Sequence, residues 1–154
     1  MLAYITRLGK QVKSDKVFES WTSNNLPQML NAVSLKTNLI DRHFLLQSII
    51  IDTYPERANH QYRDMCIKYS QMHIKEFNEI ISALGKQMDG ELPRVVTFQH
   101  YATILTENAD FDRAIEVCKA AIKYNLNDGT KSGYAGRIAR IEKKAKNAKN
   151  LQGK

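Results

Sequence analysis

Apolar residues recur every three or four positions over most of the chain, and the segments that carry this period are separated by short clusters of Gly, Pro, Asn and Asp. That is the pattern of helices joined by short loops. Leu2, Ile5, Leu8 and Val12 fall at helical spacing and predict a first helix over about residues 2–19, weakened at Gly9. Ser23-Asn24-Asn25 offers N-cap chemistry for a short helix opening at Leu26-Pro27. A third helix, about residues 38–53, carries a broad stripe from Leu39 to Ile51 and is stopped by Pro55. The clearest period follows: Tyr62, Met65, Cys66, Tyr69, Met72, Phe77, Ile80, Ile81 and Leu84 predict a helix over about residues 56–84 that ends at Gly85. After a loop over residues 85–93 come three more helices, about 94–107, 111–125 and 132–148. No window shows sustained strand alternation, and the β-prone Val95-Val96-Thr97-Phe98 runs into Tyr101, Ala102 and Leu105 at helical spacing. The expectation is an all-α chain.

The fifth and sixth of these helices have a more particular pattern. Phe98, Tyr101, Ala102 and Leu105 set a bulky aromatic, a large residue, a small one and another large one along the first helix. Asn108-Ala109-Asp110-Phe111-Asp112 forms the turn, and Arg113-Ala114-Ile115-Glu116-Val117-Cys118-Lys119-Ala120-Ala121-Ile122 the second helix. The small residues belong where two helices cross, because only a small side chain lets the axes approach to about 8–10 Å. Residues 98–131 resemble one repeat of the tetratricopeptide family, a pair of antiparallel helices about 34 residues long. Ala114 and Ala121 take the family's two small positions and Cys118 the large one between them. Ala109 stands where the family's turn has glycine, and Leu126 where it has proline.

The resemblance implies a fold of antiparallel helical hairpins stacked as a short tetratricopeptide-like array. Residues 38–84 read as a repeat-like hairpin, and the helix after Ser132, with Ile138, Ala139 and Ile141 on its apolar face, as a C-terminal cap. Three segments follow: an N-terminal helical segment (1–37), a helical-repeat domain (38–148) and a basic flexible tail (149–154). The resemblance also implies a function, because members of the family bind extended peptides or helices in the groove lined by the first helix of each pair. Here the groove positions would be Gln99, His100, Thr103, Thr106 and Glu107, with Arg137, Arg140 and Lys144 on the next helix. Such a groove is polar and basic, suited to a carboxylate or an acidic segment of a protein or peptide partner. Of the residues used by the family's carboxylate-binding members only Arg137 is matched; His100 stands where asparagine is expected.

Composition narrows the function classes. The net charge of +7 is local, since the segment from Arg137 onward carries +6 of it. A basic last helix and tail leave a nucleic-acid-associated helical protein as the alternative reading, although no aromatics are interleaved for base stacking. No apolar run approaches the ~20 residues of a membrane span, and no signal-peptide core precedes Arg7, so a cytoplasmic protein without membrane contact is expected. Cys66 and Cys118 fall on apolar helical faces and read as buried free thiols. His43, His60, His73 and His100 lack ligand spacing, and His73 reads as a hydrogen-bonded core histidine. The stretch Gly129–Gly136 has the wrong order for a phosphate loop and reads as a turn capped by Thr130 or Ser132. No catalytic, metal or cofactor constellation emerges, and a non-enzymatic interaction module is the expectation.

Overall fold

The computed structural model describes residues 3–152 and is mainly helical, with one small sheet. The chain divides into two compact units, Met1–Pro93 and Arg94–Lys154, and residues 1–37 belong to the first.

The first unit opens with a departure from expectation. Residues 4–13 form an antiparallel hairpin, β1 (Tyr4–Arg7) and β2 (Lys10–Lys13), with Ile5 opposite Val12, where a first helix was expected. The turn decides it. Leu8 and Gly9 both have positive φ, 52° and 78°, as a two-residue hairpin turn matched to strand twist requires. Ile5 and Val12 are half-buried, whereas Tyr4, Thr6 and Leu8 are exposed. Four apolar residues thus satisfied a helical spacing by chance, and a short alternation went unread.

The helices of this unit begin at side-chain caps. Asp15 caps α1 (Lys16–Trp21), Asn25 caps α2 (Leu26–Ala32), Asn38 caps α3 (Leu39–Thr53) and Asn59 caps α4 (His60–Gln87). Pro55 sits in a 3-10 turn, Tyr54–Glu56, between the last two. The α3–α4 pair is the most extensive helix contact. Leu45, Leu46, Ile49 and Ile50 meet Cys66, Phe77, Ile80 and Leu84 there, all without exposed surface. Gly85 does not end α4, as expected from sequence; the helix continues to Gln87, and Asp89 and Gly90 take the left-handed positions after it. The extra turn has a tertiary reason. Gln87 accepts from the Leu8 N–H and donates to the Thr6 carbonyl at 3.1 Å, tying α4 to the hairpin.

In the second unit α5 (Thr97–Glu107) and α6 (Phe111–Lys123) form a helical hairpin, and α7 (Gly133–Gln152) packs on α6. Ala102, Ala114, Cys118 and Ala121 have no exposed surface, and Phe98, Ile104 and Leu105 fill the space beside them. Each large side chain so buried contributes about 2 kcal/mol. The turn between α5 and α6 places Ala109 at φ 61°, the conformation that glycine tolerates best. Thr130 accepts from the Gly133 N–H at 3.1 Å and so opens α7. Along α7 the covered stripe is Tyr134, Ile138, Ile141, Ala145 and Ala148; Ala139, assigned to the apolar face from sequence, is exposed. The helix runs through Gln152, so the segment expected to be a flexible tail is helical to that point, and Gly153 and Lys154 lie outside the described residues. No helix among the described residues is long and apolar enough to cross a membrane.

Candidate functional site

Because α6 packs against both α5 and α7, these two helices flank a shared cleft. Its lining is Thr103, Thr106 and Glu107 from α5 and Arg137, Arg140, Ile141 and Lys144 from α7, around about 210 Å³. Helical geometry selects these positions: residues three, four or seven apart share a face. Six of the eight groove residues read from the sequence therefore converge, and Ile141 joins them as an apolar strip on the floor. Gln99 and His100 do not line the cleft. Both are half-buried one turn earlier on α5, and the Gln99 amide oxygen is enclosed without a hydrogen-bond partner.

The cations differ in character. Arg137 is largely buried and committed: its Nε donates to the Asp128 carboxylate at 3.0 Å, and its Nη1 donates to the Thr103 hydroxyl at 3.2 Å. Asp128 is itself held in the loop before α7, accepting from the Thr130 N–H at 2.9 Å and the Thr130 hydroxyl at 2.6 Å. Burial pushes its carboxyl pKa up, but the bonds from Thr130 and Arg137 and the Arg137 charge outweigh this and hold it below the usual range. Arg140 and Lys144 are exposed, and the polar contact Arg140 makes is to the Ser132 hydroxyl at 3.1 Å. Residue spacing alone does not mark Asp128 as the partner of Arg137. The aspartate lies nine residues from Arg137 in a loop, and only the fold brings the two together.

The remaining candidates are structural. Cys66 and Cys118 are buried free thiols, and burial raises both, Cys118 to about 11, which keeps it protonated and unreactive at neutral pH. His73 is a buried, hydrogen-bonded core histidine, with His43 as its partner at 2.9 Å. That pairing crosses from α3 to α4 and has no signature in the sequence. Comparison of the chain with known protein families, with curated proteins and with solved structures finds no match.

Proposed function

We propose that this chain is a non-catalytic, tetratricopeptide-like interaction module that binds an acidic segment of a partner protein in the cleft between α5 and α7. The observation that carries the reading is the convergence of Arg137, Arg140 and Lys144 with the hydroxyls of Thr103 and Thr106 on one concave surface floored by Ile141. Charge-assisted hydrogen bonds to a carboxylate are the strongest contacts such a surface offers. The volume supports a macromolecular partner over a metabolite, because about 210 Å³ lies below the ~300–1,000 Å³ of small-molecule sites and accommodates an anchoring side chain. A helical hairpin with small residues at its crossing, α5–α6, supports the repeat-like architecture on which this reading draws.

A fluorescein-labelled Glu-Leu-Glu-Gly-Glu-Leu peptide and its Lys-for-Glu counterpart test it by anisotropy. The acidic peptide should bind, and the Arg140→Ala/Lys144→Ala variant should bind at least about tenfold more weakly. Equal binding of both peptides, or no effect of the double substitution, would remove the proposal. A second reading, nucleic-acid association, draws on the exposed Lys143, Lys146 and Lys149 of α7. It predicts RNA or DNA binding that falls steeply with salt and is insensitive to the cleft substitutions.

A further inference from the structure

Three cations line the cleft, yet they are not equivalent, and the difference is written into the loop before α7. Arg137 faces a carboxylate with no exposed side-chain surface at 3.0 Å, and keeps only 20% of its own side-chain surface open. Its second bond, to Thr103, fixes the guanidinium across the gap between α7 and α5. Arg140 and Lys144 lie one and two turns further along the same face of α7. Glu142, the one acidic residue of that helix, points about 200° away from each of them on the helical wheel. Glu107 brings one negative charge to the cleft, against the two positive charges of Arg140 and Lys144.

We infer that Asp128 is the positioning residue of the cleft: it cancels the charge of Arg137 and leaves anion recognition to Arg140 and Lys144. This deepens the proposed peptide-binding role and rests on it. Arg137 then acts as a fixed hydrogen-bond donor at a nearly neutral end, and the partner's carboxylate is seated toward Lys144. The bound segment thereby acquires a direction. Its acidic group lies over the third and fourth turns of α7, which carry Arg140 and Lys144, and its uncharged part over Thr103 and Arg137.

Asp128→Asn separates this role from a purely structural one. The amide keeps an oxygen for Thr130 and sets an NH2 group where the carboxylate accepted from Arg137, so it removes both the charge that masks Arg137 and the bond that holds it. Affinity for the Glu-Leu-Glu-Gly-Glu-Leu peptide at low salt should rise about 3- to 10-fold, the effect of one added positive charge near the ligand's carboxylates. If Asp128 only held the loop, binding would fall or stay the same, and the inference would be overturned. A second measurement uses the unaltered protein, in case the variant folds poorly. In a titration followed by ¹⁵N side-chain spectra, the Arg140 and Lys144 signals should move and the Arg137 Nε–H signal should stay in place. An Arg137 signal that moves as far as that of Arg140 would also overturn it. Failure of the two readings is distinguishable: no binding of the peptide by the unaltered protein removes the peptide-binding proposal and this inference together. Binding that is lost in Arg140→Ala/Lys144→Ala, without the gain in Asp128→Asn or with a moving Arg137 signal, removes this inference alone.

Discussion

His43 on α3 and His73 on α4 share one hydrogen bond, Nδ1 to Nε2 at 2.9 Å, where neither ring has exposed surface. A shared bond of this kind requires that at least one ring be neutral, and the His43 Nε2 is enclosed without a partner. Burial holds His43 down to about 4, and burial, the neighbouring His43 and the charge of Arg42 hold His73 well below its ordinary value. Arg42 is in turn paired with Glu76 across the same helix contact. Since the folded pKa lies below the unfolded value of about 6.5, the unfolded chain binds more protons in this range, and stability falls as pH drops below about 6.5. Between pH 7 and pH 5 the loss should be about 2 kcal/mol for each of the two rings. Urea unfolding followed by Trp21 reads it, because this single tryptophan stacks on Phe44 beside the pair at 4.9 Å. A midpoint that does not move between these pH values, or one that still moves as much in His43→Gln/His73→Gln, would refute it.

Ala109 holds a left-handed backbone conformation in the turn between α5 and α6. At φ 61° an alanine costs about 1 kcal/mol relative to glycine, partly offset by the greater freedom of glycine in the unfolded chain. Ala109→Gly should raise the melting temperature of the second unit by several degrees, as a gain of about 0.5–1 kcal/mol does in a domain of this size. A lower melting temperature would mean that the turn between α5 and α6 is not the strained conformation described.

The helices were legible because their signals are local. Phe98, Ala102, Leu105, Ala114, Cys118 and Ala121 repeat at helical spacing, and all are buried or nearly so. Asn25, within Ser23-Asn24-Asn25, announced one helix start by composition alone. The hairpin at residues 4–13 was not legible, because four-residue strands give too little alternation to outweigh a chance helical spacing. The cleft was half legible. Helical periodicity located its faces, whereas the pairing of Arg137 with Asp128 depends on how a loop folds back, which no residue spacing encodes.

Asp41 joins three elements of the first unit. Its carboxylate, without exposed surface, accepts from Arg7 at 2.8 and 3.2 Å, from the Trp21 indole at 3.0 Å and from Asn38 at 2.6 Å. Burial works against its ionised form, and these donors outweigh burial to lower its pKa. Asp41→Asn should destabilise the unit by on the order of 3 kcal/mol, because Arg7 loses its counter-charge in a half-buried place. Arg7→Ala should cost a similar amount and leave Trp21 in place, so its fluorescence maximum should stay closer to that of the unaltered protein. A variant at Asp41 that unfolds at the original urea midpoint would contradict this.

Both cysteines should react slowly with Ellman's reagent in the folded protein and fully in denaturant, since each is buried and held above the ordinary thiol range. Substitution to alanine should be destabilising at both, by about 1–2 kcal/mol for the lost side-chain packing. Immediate modification of either thiol in native buffer would place it at a surface, contrary to the packing described.

Charge reversal separates the two arginines of α7. Arg137→Glu would set a second carboxylate against Asp128, which has no exposed side-chain surface and no other cation bonded to it among the described hydrogen bonds. It would also remove the donor to Thr103, so the second unit should lose on the order of 2 kcal/mol. Asp128 would then be pushed toward protonation, and the loss should shrink as pH falls through the carboxylate range. Arg140→Glu alters an exposed residue held by one bond to a serine hydroxyl, so its effect on melting should lie within about 0.5 kcal/mol. Folding and binding should thus divide: Arg137→Glu shows chiefly in melting curves, Arg140→Glu chiefly in peptide affinity. Equal destabilisation by the two reversals would mean that Arg137 is as solvated as Arg140, and that the Asp128 pairing contributes nothing to the fold.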